Sequence, residues 1–182
     1  MPIVFKMEII EEIKIPEKME CKIEDGTLTI KGANGITKRK FAHPMIRLKV
    51  EKDHISISSP RYSKREKRMI GTFKAHIKNM LKGELKTYTL KVCSGHFPMS
   101  IKIEKNIFKI NNFLGEKIPR MVNLREGVDV KLDGDHIIIK SIDKELAGQT
   151  AADIENLTKR PGFDQRIFQD GIYIVSKPLR EI

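Results

Sequence analysis

Met19-Glu20-Cys21-Lys22-Ile23-Glu24 returns 80 residues later as Met99-Ser100-Ile101-Lys102-Ile103-Glu104. Two further pairs follow in the same order. Asp53-His54-Ile55-Ser56-Ile57 matches Asp135-His136-Ile137-Ile138-Ile139 at an offset of 82, and Gly71-Thr72-Phe73-Lys74-Ala75-His76-Ile77 matches Gly148-Gln149-Thr150-Ala151-Ala152-Asp153-Ile154 at an offset of 77. Short Lys- and Ile-rich segments match by chance, but three pairs in one order at nearly one spacing point to an internal duplication. The drift in offset falls in loops, where insertions are tolerated.

Each unit reads the same way. Lys22-Ile23-Glu24 runs through the hairpin dipeptide Asp25-Gly26 into Thr27-Leu28-Thr29-Ile30-Lys31, which alternates as a half-buried strand does. Gly32-Ala33-Asn34-Gly35 reads as a turn, and Ile46-Arg47-Leu48-Lys49-Val50 and Ile55-Ser56-Ile57-Ser58 alternate again. The second unit opens on Thr87-Tyr88-Thr89-Leu90-Lys91-Val92 and continues with strand patterns over 100–110, 128–132 and 137–139, with Asp133-Gly134 as a turn. A helix then closes each unit. Ser63 and Glu66 have capping-box spacing, followed by a stripe of Met69, Ile70, Phe73, Ile77, Met80 and Leu81. Leu146, Ala147, Ala151, Ile154 and Leu157 form the shorter second stripe, stopped by Pro161-Gly162. Gly71 and Gly148 lie inside these helices, which suggests close backbone approach to the sheet. The expectation is an α+β chain of two tandem similar domains, residues 1–82 and 83–182, each a small antiparallel sheet packed against one helix.

Length and charge set bounds on the partner. The chain has 182 residues with 35 Lys and Arg against 24 Asp and Glu, a formal charge of +11. Residues 1–30 carry −3, residues 31–86 carry +12 and residues 87–182 carry +2, so the excess is concentrated as in a binding face for a polyanion. Aromatics are 6% and Trp is absent, which argues against stacking platforms as the main binding device. Two cysteines, Cys21 and Cys93, exclude a disulfide scaffold or a multi-cysteine zinc ribbon and read as small apolar residues near strands. The charged start argues against a secretory signal, and no apolar run approaches the roughly 18 residues that span a bilayer.

No catalytic constellation is legible. His43, His54, His76, His96 and His136 show no metal-ligand spacing, and His54 and His136 read as turn residues at matching positions of the repeat. Ser94-Gly95-His96 reads as a loop, and no Gly-rich phosphate cradle of the mononucleotide or dinucleotide kind is present. No metal, cofactor or small-molecule substrate is expected. An RNA-processing or RNA-modifying enzyme with a basic groove is the alternative reading, and it needs clustered acids or a nucleophile–base pair that the sequence does not offer. A membrane-adhering protein ranks last, because no segment has the bulky apolar face and lipidation signal it needs.

The most specific local feature is Thr158-Lys159-Arg160-Pro161-Gly162-Phe163-Asp164-Gln165-Arg166-Ile167-Phe168-Gln169-Asp170-Gly171-Ile172-Tyr173, a helix end, a turn and a strand. Lys159, Arg160, Arg166, Lys177 and Arg180 face only Asp164 and Asp170 between residues 159 and 180. Lys159-Arg160 suits a helix C-terminus, while Arg166 and the exposed loop offer fork donors for phosphate. Asp170-Gly171 reads as a turn.

At these residues the chain resembles the large-subunit ribosomal protein six family in its archaeal and eukaryotic branch. The likeness rests on Gln149 and on Arg166-Ile167-Phe168-Gln169-Asp170-Gly171-Ile172-Tyr173-Ile174-Val175, with Val92-Cys93-Ser94-Gly95-His96-Phe97-Pro98 entering the second unit. Bacterial members carry a Pro-Tyr-Lys-Gly-Lys-Gly segment where this chain has Pro161-Gly162-Phe163-Asp164-Gln165-Arg166. The resemblance implies a duplicated fold and a structural, non-enzymatic role in the large ribosomal subunit in the cytoplasm. It implies one copy bound to large-subunit rRNA near the sarcin–ricin loop and the translation-factor site, beside neighbouring ribosomal proteins, with the second domain making much of the RNA contact. The residues expected at that contact are Gln149, Lys159, Arg160, Arg166, Lys177 and Arg180, then Lys117 and Arg120 in the loop from Gly115. Lys38, Arg39 and Lys40 are expected as a further RNA-facing loop.

Overall fold

In the computed structural model, which describes residues 9–16, 19–32, 34–51, 53–164 and 166–178, Asp25 and Gly26 adopt left-handed φ values of 47° and 73°. Two successive positive φ values give the hairpin the right-handed twist its strands need. They set strand β2, Glu20–Glu24, against β3, Thr27–Gly32, with Ile23 opposite Leu28, and β4, Gly35–Lys40, pairs with the other edge of β3. A second antiparallel sheet in the same unit has the order β1 (Ile9–Lys14), β6 (His54–Ser59), β5 (Arg47–Val50). Helix α1, Lys64–Lys82, follows. Ser63 caps it by accepting from the Arg65 N–H at 3.2 Å, and Glu66 accepts from the Ser63 hydroxyl rather than from its backbone N–H, so the expected capping-box pair forms a side-chain variant of that motif.

The chain divides into two compact units, Met1–Glu84 and Leu85–Ile182. The second unit repeats the first strand for strand. Strands β8 (Ser100–Glu104), β9 (Ile107–Asn111) and β10 (Arg120–Asn123) form a three-stranded sheet, and β7 (Lys86–Cys93), β12 (His136–Ser141) and β11 (Asp129–Asp133) match β1, β6 and β5. Helix α2, Lys144–Leu157, comes next. Among the described residues one strand has no counterpart in the first unit. Strand β13, Gly171–Ser176, adds antiparallel to the outer edge of β7, giving a four-stranded sheet in the order β11-β12-β7-β13. The α+β duplication is thus as expected, with the sheet layer of each unit resolved into two small sheets.

Several local expectations change. The stretch 100–110 is a hairpin, β8 and β9, turned at Lys105-Asn106, because Lys105 takes a left-handed φ of 54°. His54 and His136 are the first residues of β6 and β12 and so lie within strands. Asp133 ends β11, and the turn is Gly134-Asp135. Cys21 and Cys93 are half-buried strand residues.

Each unit has its own core. Ile13, Leu28, Ile30, Ile55 and Ile57 meet Ile70, Phe73, Ile77, Met80 and Leu81 of α1. Tyr88, Leu90, Phe108, Ile110, Ile137 and Ile139 meet Ala147, Ala151 and Ile154 of α2. Full burial of one large aliphatic side chain contributes about 1.5–3 kcal/mol, so α1 is held chiefly by its stripe and α2 by closeness of fit. The two helix glycines separate on this point. A Cβ on Gly148 would lie 2.9 Å from the Tyr88 hydroxyl, so the close approach is real there, whereas nothing lies within 4 Å of a Cβ on Gly71. Gly71→Ala is therefore expected to raise unfolding stability by about 0.5–1 kcal/mol through helix propensity. Gly148→Ala must displace a buried tyrosine and is expected to lower stability despite the same propensity gain. Denaturant titration of both variants checks the opposite signs.

Candidate nucleic-acid interface

Two of the expected site residues of the second unit, Arg120 and Arg160, meet at one carboxylate, Glu116. Arg120 begins β10, facing the end of α2, and its guanidinium makes a bidentate pair with Glu116 at 2.7 Å through both Nε and Nη2. Nη1 donates to the Leu157 carbonyl at 2.7 Å and to the Lys159 carbonyl at 3.4 Å, and the group lies over the Phe113 ring at 4.4 Å. Arg120 thus ties the 113–120 loop to the carbonyls that end α2, which lack helical partners of their own. Beside Arg120 the Glu116 carboxyl titrates below its ordinary range, chiefly through the arginine's hydrogen bonds.

Arg160 continues the arrangement. It sits 3.7 Å from Glu116 and stacks over Phe163 at 4.2 Å. Phe163 meets Phe168 edge-on at 5.0 Å, and Phe168 lies 5.2 Å from the His96 ring. His96 in turn reaches Asp170, whose side chain is only 1% exposed. The Asp170 Oδ1 accepts from the backbone N–H of Gly95 at 2.6 Å and of His96 at 2.9 Å, and Oδ2 lies 2.6 Å from His96 Nδ1. Burial pushes the Asp170 carboxyl up, and the hydrogen bonds from His96 and Gly95 outweigh it, leaving the group below its usual 3.8. The dipeptide read as a turn is therefore a buried anchor, Asp170, followed by the first residue of β13.

Arg166 projects from this framework with its side chain 90% exposed. It pairs with Asp164 through Nη2 at 3.0 Å, and the Arg166 backbone N–H donates to the same carboxylate at 2.9 Å. Both bonds lower the Asp164 carboxyl below its usual value. Lys159 is exposed just past the α2 C-cap, Thr158, and Lys117 is exposed beside Ile118, which is 80% exposed. The structure so joins Arg120 and Arg160 through Glu116, with Lys117, Lys159 and Arg166 on the loops that carry them.

It does not bring in the rest. Gln149 lies on the exposed side of α2, donating to Asp153 at 3.2 Å, and Asp153 is paired with Arg125 at 3.1 Å. Lys177 follows β13 and makes no hydrogen bond or ion pair with this cluster among the described residues. Arg180 lies outside the described residues. Lys38, Arg39 and Lys40 belong to the first unit and are strand β4, not a loop: Ile36 to Lys40 alternate because they pair with β3. Arg39 contacts His76 at 3.4 Å and lies 6.0 Å from the Phe41 ring, while Lys38 and Lys40 are exposed.

Sequence reasoning passed over Glu116, Phe163, Phe168, His96 and the anchoring role of Asp170. Low aromatic content argued against stacking, yet Phe163 and Phe168 are both in the quoted motif. Glu116 pairs with Arg120 across a non-helical loop, where a spacing of four carries no pairing signal.

With this geometry in place, comparison with known proteins decides the family. A family model described as ribosomal protein L6 matches residues 15–84 and 97–171, one segment in each unit. The chain belongs to that family. A large ribosomal subunit protein uL6 from Methanococcus vannielii is 43% identical over 169 residues, 92% of this chain and 93% of that protein. The uL6 proteins of Methanobrevibacter smithii and Methanosarcina mazei are 42% and 41% identical, covering 92% and 93% of this chain and 95% and 98% of theirs. These three relatives are archaeal, within the archaeal and eukaryotic branch that the C-terminal motif resembles, and the family is one of ribosomal proteins, not enzymes. Among the described residues no helix is long and apolar enough to cross a membrane, and no group of three or more His, Cys, Asp or Glu is placed to hold a metal ion.

Loss of the Asp170 anchor gives a test. Its folded titration lies below 3.8, so its stabilising contribution is complete above that value and is lost as pH falls through the folded value. Asp170→Asn is expected to cost about 1–3 kcal/mol at pH 7, because a neutral amide cannot accept all three bonds from the buried side. The variant's stability should then fall less than that of the parent between pH 5 and pH 3, measured by denaturant unfolding at each pH.

Proposed function

We propose that this chain is a structural constituent of the large ribosomal subunit in the cytoplasm, present as one copy. In this reading it binds large-subunit rRNA near the sarcin–ricin loop and the translation-factor site and performs no catalysis. The family membership and the printed names of its relatives support the coarse assignment. The observation that carries the site is the second unit's framework of Arg120, Glu116, Phe163, Phe168, His96 and Asp170, which holds Lys159, Arg160, Arg166 and Lys117 on one set of joined loops.

RNA that is irregular in shape is recognised by phosphate and 2′-hydroxyl contacts and by packing against unstacked bases. Exposed Arg166 supplies a fork suited to phosphate. Arg160 over the 38%-exposed Phe163 supplies a flat cationic surface beside it. In this reading Arg120 is chiefly a positioning residue: its guanidinium is engaged with Glu116 and two carbonyls, so its main part is to shape the surface. Gln149, Lys177 and Arg180 would act outside the central patch, and Lys38 and Lys40 would offer a separate strand face in the first unit.

Purified protein should bind an rRNA fragment containing the sarcin–ricin loop with an affinity that falls steeply with salt. Each neutralised phosphate contributes about 0.7–0.9 to the logarithmic slope. Arg166→Ala is expected to weaken binding several-fold and to reduce that slope by about one phosphate, whereas Lys64→Ala on α1 leaves both unchanged. Salt-insensitive binding, or a larger effect from Lys64, would reject the assignment.

A further inference from the structure

The two units differ most at one sheet edge. In the second, β13 lies against β7 over Thr89 to Cys93 and packs on α2. The helix completes the slot: the Ile172 N–H donates to the Thr158 hydroxyl and the Ile174 N–H to Glu155 Oε1, both at 3.0 Å. His54 opposite Lys14 and His136 opposite Lys91 align the two sheets, so an offset of 77 maps Thr89–Cys93 onto Glu12–Pro16. The same offset relates Gly71 to Gly148 and maps Ala151, Glu155 and Thr158 onto Lys74, Lys78 and Leu81.

In the first unit β1 is an edge strand at that position. An open groove of about 580 Å³ runs beside it, lined by Glu12, Ile13, Lys14, Lys74, Lys78 and Leu81 among others. These are the positions that hold β13 in the second unit. Their chemistry is inverted, however. Glu155 and Thr158 accept from strand N–H groups, whereas Lys78 is a cationic donor and Leu81 is apolar. Lys74 is also a donor, ion-paired with Glu11. Lys14 and Lys82 add further cations, against Glu12 in the lining and Glu11 on Lys74.

We propose that this groove accepts an extended acidic segment of another polypeptide, added as a fourth strand on β1 with its acidic side chains toward Lys14, Lys74 and Lys78. Strand addition satisfies the edge through main-chain hydrogen bonds, while side-chain chemistry selects the partner. A polypeptide fits better than RNA because the floor is a strand edge with Ile13 and Leu81, and because the duplicated slot already holds a strand. The proposal stands apart from the RNA reading, since it concerns the other unit.

The test uses assembled large subunits carrying this chain. With wild-type protein, amide hydrogen exchange at Glu12 and Lys14, whose N–H groups face away from β6, is expected to slow at least ten-fold in the subunit relative to the free chain. With Glu12→p-benzoyl-phenylalanine, irradiation is expected to give a product whose partner peptide, mapped by mass spectrometry, is an extended acidic stretch of another protein. Adding Lys78→Glu should lower the yield per incorporated chain at least ten-fold. Unchanged exchange, a cross-link to RNA, a product lacking acidic residues or a yield indifferent to Lys78→Glu would each overturn the proposal. None of these outcomes bears on the salt dependence of rRNA binding or on Arg166.

Discussion

Asp170 carries a charge in a place where water has been removed, and three donors from one short loop make that tolerable: the N–H groups of Gly95 and His96 and the His96 ring. An unpaired carboxylate at that depth would be prohibitive, so the loop after β7 and the segment before β13 are held to one geometry or both are lost. Their position in the chain matters. Residues 94–96 follow the unit's first strand and Asp170 precedes its last, so a single carboxylate joins parts of the chain 75 residues apart at the edge where β13 attaches. Phe168 on the His96 ring, Phe163 on Phe168 and Arg160 on Phe163 are a consequence of that closure, a ladder whose foot is the buried acid and whose top is a cation at the surface.

Duplication explains what is shared between the units, and divergence at a few positions explains what is not. Both have a strand pair of the β7–β12 kind under a helix. The first helix uses large residues, Ile70, Phe73 and Ile77, and the second uses Ala147 and Ala151 with Gly148 against Tyr88. Small side chains let α2 lie close to its sheet, and its Thr158 and Glu155 then reach the N–H groups of β13. Lys74 stands where Ala151 stands, and Lys78 where Glu155 stands. With Leu81 where Thr158 stands, both acceptors are gone, and the three changes leave a cationic groove beside β1, an edge strand among the described residues.

Much of this was legible from residues alone. The repeat and the alternation of Thr27 to Lys31 placed the strands, and Ser63 with Glu66 placed the start of α1, because those features depend on neighbours within a few positions. Joining over long separations was not. Nothing local says that Arg120 will find the carbonyls of Leu157 and Lys159, or that Asp170 will find residues 95 and 96. A strand at 38–40 was missed because Thr37-Lys38-Arg39-Lys40 is polar throughout, and its pairing with β3 comes from register, which a charged edge strand does not announce. Gly71 and Gly148 look equivalent in sequence, yet only the structure shows that one has a tyrosine beside it and the other open space.

Formal charge also misdescribes what a polyanion would meet. Residues 31–86 hold the excess of +12, and residues 87–182 only +2, yet the latter count includes acids that act on specific partners. Glu116 and Asp170 are consumed within the framework, one by Arg120 and Arg160, the other by a histidine loop. Asp164 is different: its pair with Arg166 is at the surface, where two solvated ions gain little from each other. A backbone phosphate presents the same bidentate acceptor to Arg166 with the same single charge, so it can replace Asp164 without opening anything buried. Arg120 offers no such exchange, because releasing it would strand the Leu157 carbonyl and Glu116 together. Two arginines of equal formal charge are therefore unequal as ligands for RNA, and the difference lies in which partner each would have to give up.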